Sequence, residues 1–316
     1  MARLLFAKGV RGEIVRKLQR RLTDLGFDPK GVDGDFGDAT REAVQVFRAS
    51  IGLEATGTID VPTWQQLMSV PIPSVAERSL QLTAAFEGHG FTLARGNWDG
   101  AGVTWGIIGF TLKFGSLSAI LREIHRRDPE LLRQAFGNQT AELLQVLRAP
   151  RAEQLAWADS ISVPPRKIHL AQPWRSAFKR LGEIEEAQAV QLERAISGYY
   201  VPALRTASEL ELQTELGVAL CFDIHVQNGS VKPSARAQIT RELEEHPVLA
   251  SEQELRVIVA NAVADHGRPP FQEDVRARKL TIATGAGKVH GRTYLVRNWG
   301  LAEIRLPAGA FAAVDV

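Results

Sequence analysis

The chain has almost no cysteine. Of its 316 residues only Cys221 carries a thiol, which excludes an internal disulfide and any Cys-rich zinc site and fits folding in a reducing compartment. Long apolar runs are also missing. Leu4–Ala7 is too short for the apolar core of a signal peptide, and no small-residue cleavage site follows it. The most weakly charged stretch, around Val103 to Leu112, is glycine-rich and shorter than the ~20 residues a membrane helix needs. The expectation is a protein made in the cytoplasm without membrane insertion. Nor is there a block of like charge: 38 Lys and Arg stand against 36 Asp and Glu. The pI of 8.8 leans basic, but nothing of the kind that grips nucleic acid is present. The histidines form no HExxH motif and no close pair, so a zinc amidase or peptidase has little support and no metal or other cofactor is expected. What is there is ordinary globular composition, 45% hydrophobic and 23% charged, long enough for about two domains at ~100–200 residues each.

The first part of the chain reads as three short helices around a small core. Val15, Leu18, Leu22 and Leu25 fall at helical spacing, and Gly26 is the expected stop. A second helix follows Asp38, read as its cap, with Ala43, Val44 and Phe47 inward and Gly52 at its end. The third has Asp60 as cap, Pro62 in its first turn, and Trp64 and Leu67 inward. The order LQRRLTDLGF, DGDFGDATREAVQVFR and TGTIDVPTWQQL resembles the peptidoglycan-binding domain found on many cell-wall hydrolases. That resemblance covers about residues 8–70 and implies a non-catalytic module that docks the chain on bacterial peptidoglycan.

Pro71 and Pro73 with no periodicity around them read as a short, stiff linker. The expected layout is a wall-binding domain over 1–70, a linker over 71–75 and a catalytic domain over 76–316. The last part is helical in pattern through 76–87, 116–147, 151–160, 184–198, 208–226, 233–245 and 251–266. Residues 91–112 are the exception, glycine-rich and aromatic, and predict a hairpin or small irregular sheet. The fold class is therefore mainly α: a small three-helix domain plus a mostly helical domain with a small β region, the layout of lysozyme-like hydrolases.

Two carboxyl groups stand out. Glu87 falls at the last turn of a helix ended by Gly88 and Gly90, where the negative end of the helix dipole and apolar cover from Phe86 and Phe91 favour the protonated form that a general acid needs. Asp99 lies in Gly96-Asn97-Trp98-Asp99-Gly100, a turn rich in backbone donors that favour the ionised form. Carboxyls in opposite environments are the arrangement of glycoside cleavage. His89 either tunes Glu87 or is a solvated loop residue. Trp98 and Trp105 either stack on sugar rings or fill the core, with Trp105 the better core residue. Cys221 reads as a buried inert thiol.

Asp99-Gly100-Ala101-Gly102-Val103-Thr104-Trp105-Gly106-Ile107-Ile108-Gly109-Phe110-Thr111 resembles the signature of the chitosanases of glycoside hydrolase family 46, whose fold is lysozyme-like. The resemblance implies Glu87 as general acid, Asp99 as general base and Thr104 as the residue that helps hold the attacking water. Cys221 to Gly229 is similar to the family's helix carrying a supporting aspartate, and Ala277-Arg278-Lys279 to the segment bearing its arginine partner. These imply an Asp223–Arg278 ion pair behind the site, with Arg292 or Arg276 as further members. The Glu-to-Asp interval is shorter than in that family, which puts the substrate in question. Chitosan is a polycation and favours an acidic groove, yet 28 of the basic and 27 of the acidic residues follow residue 74. Murein fits the attached module better. The leading expectation is a murein-degrading, endolysin-like glycosidase, a monomer released to the wall by a holin or secretion machine. The alternatives are a lytic transglycosylase using Glu87 alone, a chitosanase, or an inactive wall-binding protein.

Overall fold

The computed structural model describes residues 2–88, 90–307 and 309–312. His89 lies outside them. In chain order the elements are β1 (Leu4–Phe6), α1 (Glu13–Asp24), α2 (Asp38–Ser50), β2 (Ile59–Asp60), α3 (Val61–Met68) and α4 (Val75–Glu87). Three short strands follow, β3 (Ala94–Arg95), β4 (Thr104–Trp105) and β5 (Phe110–Thr111), then α5 (Ser116–Arg127), α6 (Pro129–Phe136), α7 (Thr140–Arg148), α8 (Arg151–Ser160), α9 (Trp174–Glu183) and α10 (Glu185–Ala195). A π-helical turn, Ile196–Tyr200, leads to α11 (Val201–Glu209), α12 (Glu215–Asn228), α13 (Pro233–Glu245), α14 (Glu252–Asp265), α15 (Gln272–Thr284) and the hairpin β6 (Ala286–Val289) and β7 (Arg292–Leu295). The chain is mainly α, as its patterning requires. By contacts it forms two compact units, one of residues 1–86 and 196–316, the other of 87–195.

In the first unit, α1, α2 and α3 surround Phe6, Val15, Leu18, Leu22, Phe36, Val44, Phe47 and Trp64, all buried. Gln19, buried among them, ties the turn between α1 and α2: its amide donates to Asp33 Oδ1 at 2.8 Å and Thr40 Oγ1 at 3.0 Å, and its carbonyl accepts from Gly34 N at 2.8 Å. Asp60 caps α3, accepting from Thr63 N at 3.0 Å. Asp38 is not a cap. It is the first helical residue of α2 behind Gly37, and its carboxylate pairs with Lys8 at 2.7 Å. The reason is the close cation, which draws the side chain away from the helix's own amides.

Residues on both sides of the proline-bearing segment 71–75 share this unit. Trp64 Nε1 donates to the Val70 and Pro71 carbonyls, both at 3.1 Å. Leu5 and Phe6 lie in the same hydrophobic cluster as Trp299 and Leu301, and Ala7 N donates to Asn298 O at 3.2 Å. Glu215, at the start of α12, takes both Arg3 and Arg78 as ion partners. Helix α12 is buried from Glu215 to Ile224 and packs against α11, α14 and α15. Such a helix is apolar almost all round, because it has no solvent face to keep.

The second unit packs α5, α6, α9 and α10 around Phe91, Trp105, Phe110, Phe136 and Phe178. Phe136 and Phe178 meet edge to face with ring centroids 5.0 Å apart. Its sheet has the order β3-β4-β5, antiparallel throughout, with Arg95 opposite Thr104 and Thr104 opposite Thr111.

Candidate active site

The loop joining β3 to β4 carries Asp99, and Asn97 shapes it. Its side-chain carbonyl accepts from Gly102 N at 2.9 Å, closing the loop across its base, while its amide donates to Asp159 Oδ1 at 3.0 Å. The Asn97 backbone N–H donates to Ser162 Oγ at 2.9 Å. Asp99 is thus held on a loop fixed at both ends. Its carboxylate is exposed and accepts from Ala101 N at 3.0 Å, a single backbone donor where the sequence promised several. Trp98 beside it is 53% exposed, whereas Trp105 is fully buried, its Nε1 donating to Phe178 O at 2.9 Å. One tryptophan is available to a ligand and the other is core. Thr104 sits on the central strand β4 and is buried, its backbone fixed by strands on both sides.

Glu87 is the last residue of α4 and half-buried; Gly88, in the left-handed region at φ 65°, ends the helix there. One turn earlier, Thr83 Oγ1 donates to Asp223 Oδ1 at 3.0 Å. Asp223, on α12, is fully buried and also accepts from Arg278 Nη2 at 2.7 Å and from Lys279 Nζ at 2.5 Å. Burial alone would raise this carboxyl's pKa, but the two cations overcome it and hold Asp223 well below the usual carboxylate range. Arg278 lies 5.4 Å from the centre of the Phe86 ring, which packs on Tyr294 with centroids 4.8 Å apart. The last turns of α4 are therefore braced by an ion cluster and an aromatic pair.

Arg278 does meet Asp223. Arg292 does not: it is exposed on β7, and among the described residues no bond joins it to that carboxylate. Arg276 turns elsewhere, to Asp265 Oδ1 at 2.6 Å and Asn261 Oδ1 at 2.8 Å. The partner that sequence reading missed is Lys279. Its signal was its place beside Arg278, but neighbours on a helix point about 100° apart and only the burial of both brings them to one acid. Cys221 is fully buried, and desolvation pushes its thiol up, so it is no nucleophile. Among the described residues no group of three or more His, Cys, Asp or Glu is placed to hold a metal, and no helix is long and apolar enough to cross a membrane.

The class of protein is a glycoside hydrolase. Residues 83–253 match the model of glycosyl hydrolase family 46, and the chain belongs to that family. Residues 11–67 match the model of a putative peptidoglycan binding domain. Among solved structures, the chain is similar to the family 46 chitosanase of Gynuella sunshinyii in complex with chitotetraose, at 16% identity and TM-score 0.47, covering 71% of this chain and 98% of that one. It is similar also to the native chitosanase of Bacillus subtilis, at 20% identity and TM-score 0.46, covering 69% and 94%. A probable N-acetylmuramoyl-L-alanine amidase of Bacillus licheniformis is 38% identical over 78 residues, 24% of this chain and 22% of that protein. The chain thus spans about a fifth of the length of that curated relative.

Proposed function

We propose that this glycosidase hydrolyses the glycan strand of bacterial peptidoglycan, with Glu87 as general acid and Asp99 as general base. The observation that carries the reading is the presence, on one chain, of a putative peptidoglycan binding domain ahead of a family 46 hydrolase domain. Residues 1–70 anchor the chain on the wall, 71–75 connect, and 76–316 cut. Glu87 gives its proton to the glycosidic oxygen as the bond breaks, and Asp99 takes a proton from water attacking the opposite face of the sugar. Thr104 holds that water, and Trp98 stacks on a sugar ring. The Asp223, Arg278 and Lys279 cluster keeps the end of α4 in place and so positions Glu87. The protein acts as a monomer that reaches the wall after release by a holin or a secretion machine. Purified murein and chitosan, digested in parallel and assayed for new reducing ends, test the reading. Murein cleavage is the expected result; chitosan cleavage with murein untouched would overturn it.

A further inference from the structure

The second unit contains a groove of about 440 Å³ whose rim is basic. Arg95 on β3, Arg175 and Lys179 on α9, and His169 just ahead of that helix contribute to its lining. Arg175 and Lys179 are four residues apart and so share one face of α9, while the opposite face of that helix is buried through Trp174, Ala177, Phe178 and Leu181. The helix can lie this close to the sheet because residue 182 is glycine: a Cβ there would stand 2.7 Å from Thr92 Cα.

Several cations elsewhere on this unit are ion-paired. Arg126 and Arg127 pair with Glu123, Arg133 with Glu130, and Lys167 with Asp159. The groove differs. Arg95 and Arg175 make no ion pair among the described residues, and Lys179 has only Glu183, at 3.7 Å with both side chains exposed. Unpaired cations gathered on a concave surface focus positive potential there. The groove also adjoins the chemistry, since Arg95 is the cross-strand neighbour of Thr104 and the Asp99 loop joins their two strands.

We infer that this groove binds carboxylates carried by the substrate, so that the hydrolase selects an anionic glycan over a neutral or cationic one. The inference rests on the murein reading, since murein strands carry carboxylates on their lactyl ethers once unsubstituted and on their stem peptides. A polycation such as chitosan would meet repulsion at the same place.

The test is steady-state kinetics of the full chain on soluble murein strands in three forms: with stem peptides, with peptides removed so that lactyl carboxylates are bare, and with every carboxylate capped as a methylamide. The double variant Arg175→Glu, Lys179→Glu should raise KM about tenfold on the carboxylate-bearing form that the groove reads, the size expected when two exposed ion pairs become like-charge contacts. Wild-type KM should rise with salt and on capping, and both effects should shrink in the variant. A loss confined to the peptide-bearing form assigns the groove to the stem, and one that persists on stripped strands assigns it to the lactyl group. Arg126→Glu, Arg133→Glu has the same change in net charge away from the groove and should leave KM as it is. If wild type cuts murein but the groove variant keeps its KM and salt dependence, this inference falls alone. If wild type releases no ends from any murein form, the murein reading itself falls, and the inference with it.

Discussion

Glu87, Asp99 and Thr104 have different tasks in the proposed reaction and should fail in different ways. Glu87→Gln removes the proton donor to the leaving oxygen and should lower kcat by ~10²–10⁴-fold while the protein folds normally, because the side chain is only half-buried. Asp99→Asn keeps the loop, since an amide oxygen can still accept from Ala101 N, yet it should sharply lower hydrolysis. Thr104→Ala loosens a water without removing the base, so its loss should be the smallest of the three. Asp223 belongs to stability more than to chemistry. Asp223→Asn removes the buried carboxylate that pairs with both Arg278 and Lys279 and should cost ~3–5 kcal/mol, read as a lower denaturant midpoint. Its folded pKa is depressed, so its contribution is complete above the unfolded value of ~3.9 and drains as pH falls below that towards the folded value. A stability profile over pH 2–6 should therefore be flatter for Asp223→Asn than for wild type. Glu87 and Asp99 were legible in the sequence as residues at a helix end and in a glycine turn. Lys279 was not, because nothing local shows that two adjacent cations both turn inward to one acid.

The glycine run at 100–109 is fixed by close approach as much as by turn geometry. Gly106 has φ +89°, and a Cβ there would collide with the Gln191 side chain, which accepts from Ile107 N at 3.0 Å. Gly106→Ala combines a strained backbone with a broken buried hydrogen bond and should cost ~2–4 kcal/mol, seen as a fall in Tm together with lost activity, since the turn follows directly on β4, the strand that carries Thr104. An unchanged Tm would show that Gln191 can move aside. At this scale the β region at 91–112 was readable from its composition and appears as β3-β4-β5. The pattern read as continuous over 208–226 is two helices, because Thr214 caps α12 by accepting from Gly217 N at 3.1 Å. Helix α15 escaped notice for a physical reason: its buried face includes Arg278, Lys279 and Thr281, so apolar periodicity is absent where burial is deepest. The short α9 does carry apolar spacing, at Trp174, Ala177, Phe178 and Leu181, but it lies directly behind a proline-bearing loop, which masks its start in the sequence.

At the scale of the molecule, the helices that match a peptidoglycan binding domain are built into a larger core. Phe6 lies 5.8 Å from Trp64 between ring centres and belongs to the cluster that also holds Trp299, Leu301 and the residues of α12. Phe6→Ala should therefore destabilise the whole unit of residues 1–86 and 196–316, by ~3–5 kcal/mol, and hydrogen exchange should report faster opening of α12 amides as well as those of α1. Exchange confined to α1–α3 would show that the N-terminal helices unfold alone. This coupling was invisible in the sequence, where two prolines in 71–75 look like a break, because contacts between residues some 290 positions apart leave no local pattern. The central claim, however, concerns the reaction: two carboxyls and a water acting on a murein strand. The most direct measurement is mass spectrometry of the new ends produced from purified murein by wild type and by Asp99→Asn. The account predicts reducing ends as the new termini with wild type and their loss in Asp99→Asn; 1,6-anhydro ends that persist in Asp99→Asn would contradict it.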